Sequence, residues 1–386
     1  MMPAPTHAAV WRFATWFVSA AICIGATLTP ARGDTGGSDL IVHEWGTFTV
    51  LSDGKGGVVP WHRLSETDAL PSFVHAIDCN VKRRDKRTAF STVRMETPVL
   101  YFYADRPTKA SVEVEFPGGI MTEWYPRAAV SDGHIRWDAI TIRPDVDAEL
   151  PYGDAANHYY AARCAEAATV FVDGDEAEHE GFLFYRGAGY PTLPLSATLE
   201  DEQVRAEAKD LHGQIIMFEN EGGMARFRMR PIANGRASFD RSATGRPLED
   251  LLTKLRSMLI NEGLYEKEAD AMIATWRQSW FEPGSRLFYI LPRAATDRFL
   301  PIRIDPTPRQ LVRVMVVRVE MITPQVERAF ADHLRHLDAV DDAARKAAEA
   351  ALRSRGRFTA PILTRMLNAE NHQELRQRIQ SFLQTY

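Results

Sequence analysis

Four residues carry the strongest chemical suggestion in this 386-residue chain: His43, Glu44, Glu96 and Glu123. Each falls in or beside a strand-like segment with large aromatics nearby, where an unpaired charge would be costly. His62 or His75 could join them. One imidazole with two or three carboxylates can hold a divalent metal ion, the one cofactor these residues suggest. Two of the carboxylates could instead act as acid and base on a glycosidic bond. The structural alternative pairs Glu44, Glu96 and Glu123 with Arg94, Arg127 or Arg186 as ion pairs at sheet ends. His43 and Glu44 are neighbours in a strand, so they point to opposite faces and do not easily share one ion. Familiar catalytic spacings are missing. His43-Glu44 and His179-Glu180 each lack a second histidine at i+4, and there is no CxxC pair and no GxSxG elbow. The glycine-rich run Ser52–Gly57 is followed by no GK[ST], which argues against a phosphate-binding loop.

A second set could bind a ligand without chemistry. Trp45, Trp61, Trp124, Tyr125, Trp137, Tyr159 and Tyr160 supply aromatic faces of the kind that stack on sugars or anchor protein interfaces. Trp124 and Tyr125, beside a turn and a proline, are the best placed of these. The segment Tyr185-Arg186-Gly187-Ala188-Gly189-Tyr190 reads as a loop after a buried strand, its glycines letting a ligand approach and Arg186 hooking an anion. Trp124, Tyr125, Tyr185 and Arg186 are therefore the candidate ligand-binding residues. Ordinary core packing and an ordinary tight turn are the competing readings.

The elements that must position these residues follow from periodicity. Asp39–Leu51 is β-branched and aromatic and predicts a strand. Pro98–Tyr103, an unbroken apolar run, Ala110–Phe116, an alternating one, and Ile120–Tyr125 predict three strands in a row, a meander. His134–Ile142 alternates again, with Ile135, Trp137 and Ala139 on one face. Asn157–Ala168 predicts a short helix, and Phe182–Tyr185 a buried strand. From Pro247 the period changes to about 3.6, giving a one-sided αα-hairpin, after which Arg286–Leu291 and Leu311–Ile322 return to strand. The fold class is α+β. An antiparallel β-sandwich body spans residues 38–245, a helical hairpin 246–284, returning strands 285–322 and a helical tail 323–386.

Several of these motifs, HEWGTFT, METPVLYFY and FPGGIMTEWYP, then FLFYRG, GLYEKEADAMIATW and RLFYILPR, resemble those of a family of exported bacterial proteins of uncharacterised function. The resemblance covers the chain from about His43 to Thr323. It implies export and a mixed β/α body, and it brings no established activity, cofactor or catalytic residue.

Residues 1–33 read as a secretory signal: Arg12, an apolar run from Phe13 to Leu28, and Ala31-Arg32-Gly33 before the cleavage point. This predicts a periplasmic or extracellular protein with no membrane span once the signal is removed. The net charge is −5, and the leader holds two arginines and no acids, so the mature chain is more acidic still. That excludes the basic footprint of a nucleic-acid binder. Cys79 and Cys164 remain after cleavage and could pair in an oxidising compartment, a cross-link worth about 4 kcal/mol in the chain-entropy model; two free thiols are the alternative. Two function classes follow. One is a non-catalytic extracytoplasmic module binding an envelope glycan or a protein partner. The other is an envelope hydrolase, metal-assisted or not, using the histidine and carboxylates.

Overall fold

The computed structural model describes residues 38–62, 70–77, 90–153, 157–172, 178–337, 340–369 and 373–385. The leader, Cys79 and the basic run Lys82–Arg87 lie outside the described residues, as do the side chains of Trp61 and His62. The chain is mixed α+β, with 43% of the described residues in strands. No helix among the described residues is long and apolar enough to cross a membrane.

The strands that matter most are β1 (Ser38–Ser52), β2 (Val93–Tyr103), β3 (Thr108–Glu115), β4 (Gly119–Tyr125) and β5 (His134–Arg143). They continue with β6 (Leu183–Gly189), β7 (Gln214–Glu221), β8 (Met224–Pro231), β9 (Gly284–Leu291) and β10 (Pro308–Met321). The main sheet runs β8-β7-β9-β10-β1-β2-β6-β4, with two-residue strands at either edge. Its pairings are antiparallel except β1 with β10, which run parallel in the middle. These two strands lie far apart in sequence, so no short turn forces them antiparallel.

The three strands read as a meander do not form one. β2 and β4 both lie in the main sheet with β6 between them, while β3 joins a second sheet beside β5. The side-chain pattern explains the split. β2 is apolar on both faces and suits the middle of a covered sheet, whereas β3 buries Val112 and Val114 and turns Glu113 and Glu115 outward. In β5 a register shift opposite Ala110–Val112 moves the inward positions to Ile140 and Ile142 and leaves Ala139 exposed, against the strict alternation expected.

One face of the main sheet packs on the second sheet and on a small third sheet (Leu195–Glu200, Gln203–Ala208, Arg236–Asp240) through Val42, Phe48, Leu100, Phe102, Val114, Trp137, Val204 and Phe239. The other face packs on helices. α1 (Leu248–Asn261) buries Leu251, Leu255 and Leu259 at helical spacing, and α2 (Glu266–Trp280) buries Met272, Trp276 and Trp280. Both meet Trp45, Val99, Tyr101, Phe184 and Phe218 of the sheet. A 3-10 turn, His158–Cys164, lies beside α2, capped by the Asn157 side chain on the Tyr159 amide. The short helix α3 (Arg293–Phe299) precedes β10. The C-terminal helices α4 (Pro324–His336), α5 (Asp342–Arg353), α6 (Thr359–Ala369) and α7 (Gln373–Thr385) bury a separate cluster that includes Phe330, Leu352, Leu363 and Ile379, joined by Leu51 and Ile322.

Candidate functional site

The four expected metal ligands are not brought together. His43 and Glu44 occupy opposite faces of β1, as adjacent strand residues must. On the helix face, His43 Nδ1 lies 2.8 Å from Glu268 Oε2. Glu268 also accepts from the Tyr103 hydroxyl at 2.8 Å and caps α2 by accepting from the Tyr265 amide at 2.7 Å. His43 and Glu268 are fully buried, and His43 Nε2 has no hydrogen-bond partner among the described residues. Burial and the neighbouring Glu268 carboxylate push the Tyr103 hydroxyl well above its ordinary pKa.

On the opposite face Glu44 accepts from Arg313 Nε at 2.5 Å and from the Tyr185 hydroxyl. Arg313 also reaches Asp297 at 2.8 Å and the Leu300 carbonyl at 2.6 Å. Burial pushes the Tyr185 hydroxyl pKa up, and the Glu44 carboxylate pushes it further. Both charges of this group are paired, Arg313 with Glu44 and Asp297, although Arg313 Nη2 makes no hydrogen bond among the described residues, and this pairing marks it as a structural ion pair.

Glu96 and Glu123, by contrast, share the helix face of the sheet with a row of arginines. Three adjacent pairings slip register at the same level: β1–β2 between Trp45 and Thr47, β2–β6 between Phe184 and Gly187, and β6–β4 between Arg186 and Gly187. Bulges of this kind bend strands and re-aim side chains. At their centre Thr97 holds a φ of +47°, a backbone conformation that a β-branched residue adopts only under strain. Gly187 permits the close approach that results: a Cβ there would come within 2.7 Å of the Ile120 carbonyl oxygen.

The bulged segment holds the charged side chains. Glu96 accepts from Thr49 Oγ1 at 2.5 Å and from Arg357 Nη1 at 2.5 Å, with Arg94 Nε 3.9 Å away. Burial alone would raise its pKa, but Arg357, Arg94 and the Thr49 hydroxyl outweigh that and hold it at about 2. Burial drives the Arg94 guanidinium down, with Glu96 opposing and Arg357 and Arg186 adding to the fall. Arg186 donates to Thr97 Oγ1 through Nε and Nη2, each at 3.2 Å, and its Nη2 lies 3.0 Å from His158 Nε2. A guanidinium cannot accept, so that His158 nitrogen is the acceptor. Glu123 stands opposite Arg186 across β4–β6 and accepts from the Thr122 hydroxyl. Three parts of the chain thus meet on the sheet: the 3-10 turn through His158, α2 through Trp276, 6.4 Å from the His158 ring, and Arg357 from the C-terminal turn Gly356–Phe358.

The expected ligand-binding residues scatter. Trp124 packs toward the second sheet, while Tyr125 is buried on the helix side against Phe73 and His75. Tyr185 points to the Glu44 face and Arg186 to the arginine row. Tyr185 to Gly189 is strand throughout and fully buried, so the segment expected to be a loop is a central strand whose glycines serve close strand approach. His75 bonds Glu178 at 2.8 Å. Trp45, Trp137 and Tyr159 are core, and Tyr160 stacks on exposed Tyr152. Cys164 is an exposed free thiol, and no disulfide occurs among the described residues.

Sequence reasoning missed Thr97, His158, Glu268 and Arg357. A signal existed for the first: Pro98 interrupts a central strand and Gly46 lies opposite it, a pairing that marks a bulge. Among the described residues, side chains with metal-ligand spacing are Glu113, Glu115 and His134, none of them in the expected set.

No protein-family model matches this chain, and no curated protein matches it. The site therefore has to be read from its own chemistry.

Proposed function

We propose that this protein is a non-catalytic extracytoplasmic module that binds an envelope polymer, a glycan, or a protein partner. In this reading an antiparallel β-sandwich body carries the site, and the inserted helical hairpin and the helical tail wall it in. One observation carries it: register slips in three neighbouring strand pairs converge on a strained Thr97 that holds Arg186 in a buried charged cluster. Strain of this kind persists where function needs it. Glu96, held near pH 2 by two guanidiniums, is a poor general acid at neutral pH. The test is retention of the mature protein on insoluble envelope glycans. Wild type should be retained, and a variant with Thr97→Gly and Arg186→Ala should pass through with an unchanged circular-dichroism spectrum. Equal retention of both would overturn the reading.

The alternative, an envelope hydrolase, rests on the buried His43–Glu268 pair, in which a carboxylate orients an imidazole whose second nitrogen has no hydrogen-bond partner among the described residues. Turnover of a glycan or ester substrate that is lost in His43→Gln but kept in Arg186→Ala would favour it. Metal content as purified, and the shift of Tm with chelator, separate its metal-assisted form.

A further inference from the structure

We propose that the group bound at this buried cluster is a compact oxyanion, a carboxylate or a phosphoryl group, clamped by Arg186 and Arg357 with the Thr47 hydroxyl as a further donor. The proposal rests on the binding-module reading and names the chemistry of its ligand.

Charge is the first argument. Arg186 is only 6% exposed, yet among the described residues no carboxylate lies within ion-pair distance of it. Its bonds go to a neutral hydroxyl and a neutral ring nitrogen. Around it Arg94 and Arg357 lean on Glu96, Arg357 also lies 3.9 Å from Glu282, and Glu123 is bonded to Thr122, so among these three arginines Arg186 is the one that no described carboxylate reaches. Burying an uncompensated guanidinium is expensive, and an anionic ligand removes that cost.

Donor geometry is the second. Thr47 Oγ1 and Arg357 Nη2 are buried and make no hydrogen bond among the described residues, Nη2 lying 3.9 Å from Glu282 Oε1. Thr47 lies two residues from Thr49 on the same strand, opposite Glu96, whose carboxylate Arg357 contacts. Unfilled donors outnumber unfilled acceptors here, as an oxyanion requires. A guanidinium fork suits carboxylate and phosphate alike. The neighbouring arginines have other work. Arg286 and Arg318 bind the Trp280 and Ser279 carbonyls at the end of α2 and share Glu320, so they fasten that helix end to the sheet.

The experiment is calorimetric titration of the mature protein at constant ionic strength with sodium phosphate, sodium glucuronate and, as control, sodium chloride. Saturable binding of phosphate or glucuronate is expected, and whichever binds more tightly identifies the source of the group. Arg186→Gln should weaken it at least tenfold and Thr47→Val a few-fold. Should Arg186→Gln fail to fold, Arg357→Gln takes its place with the same expected loss. No saturable heat with either anion, or equal affinity in wild type and variants, overturns the proposal. If a neutral glycan is retained while neither anion binds, the oxyanion assignment falls and the binding module stands. If an anion binds saturably and no polymer is retained, the oxyanion site stands and the polymer reading falls.

Discussion

The two faces of the central strands hold two buried charge clusters built from the same residue types, and they differ in closure. On one face every charge is paired: Glu44 accepts from Arg313 and Tyr185, and Arg313 also holds Asp297 and the Leu300 carbonyl, with its Nη2 alone lacking a hydrogen bond among the described residues. On the other, Arg186 is buried against neutral partners, and among the described residues Thr47 Oγ1 makes no hydrogen bond and Arg357 Nη2 has only Glu282, at 3.9 Å. A closed cluster fixes the position of elements, here α3 and β10 against β1. An open one, placed where three strand pairings slip register, is held at a cost that folding alone does not explain.

The largest effect should come from breaking the closed cluster. Arg313→Met strands the Glu44 carboxylate in the core and should cost about 3–5 kcal/mol, read as a fall in the urea midpoint. Next is the pH dependence of Glu96. Its folded pKa is depressed from 4.5 to about 2, so the stability it contributes is present above pH 4.5 and lost as pH falls from there toward 2. The full amount is about 3 kcal/mol at 1.36 kcal/mol per unit, and Glu96→Gln should flatten that part of the acid profile. If the profile is unchanged in Glu96→Gln, the ion pairing with Arg357 is not what holds the carboxylate. Gly187→Ala drives a methyl group into the Ile120 carbonyl and should cost about 1–3 kcal/mol by thermal melt, showing that the bulge row is tightly specified. The smallest effect is Thr97→Asn, which tolerates positive φ and keeps a side-chain acceptor for Arg186. A gain of about 1 kcal/mol is expected, and a loss would mean that Thr97 is not strained.

Much of the strand content was legible because alternation reports which side of a strand is covered. β1, β2, β3 and β5 fall where the periodicity puts them. Pairing was not legible, since β6 enters between β2 and β4 from some sixty residues downstream of β4 and β10 joins β1 in parallel from the far end of the body. The opposite facing of His43 and Glu44 followed from a strand's period of two, and so did their separate partners, Glu268 and Arg313. Arg186 was visible as an anion hook but was assigned to a loop, because two glycines so close together read as a turn. Arg357 could not be placed at all: its contact with Glu96 spans 261 residues, and no local pattern encodes such a distance.

The most direct measurement pairs stability with retention in Arg186→Met. If the open cluster is a binding site kept at some cost, this variant should unfold at the same or a higher urea concentration than wild type while losing retention on glycan and saturable anion binding. A variant that is destabilised as much as Arg313→Met, yet still binds as wild type does, would contradict the account and make the arginine row a second structural cluster.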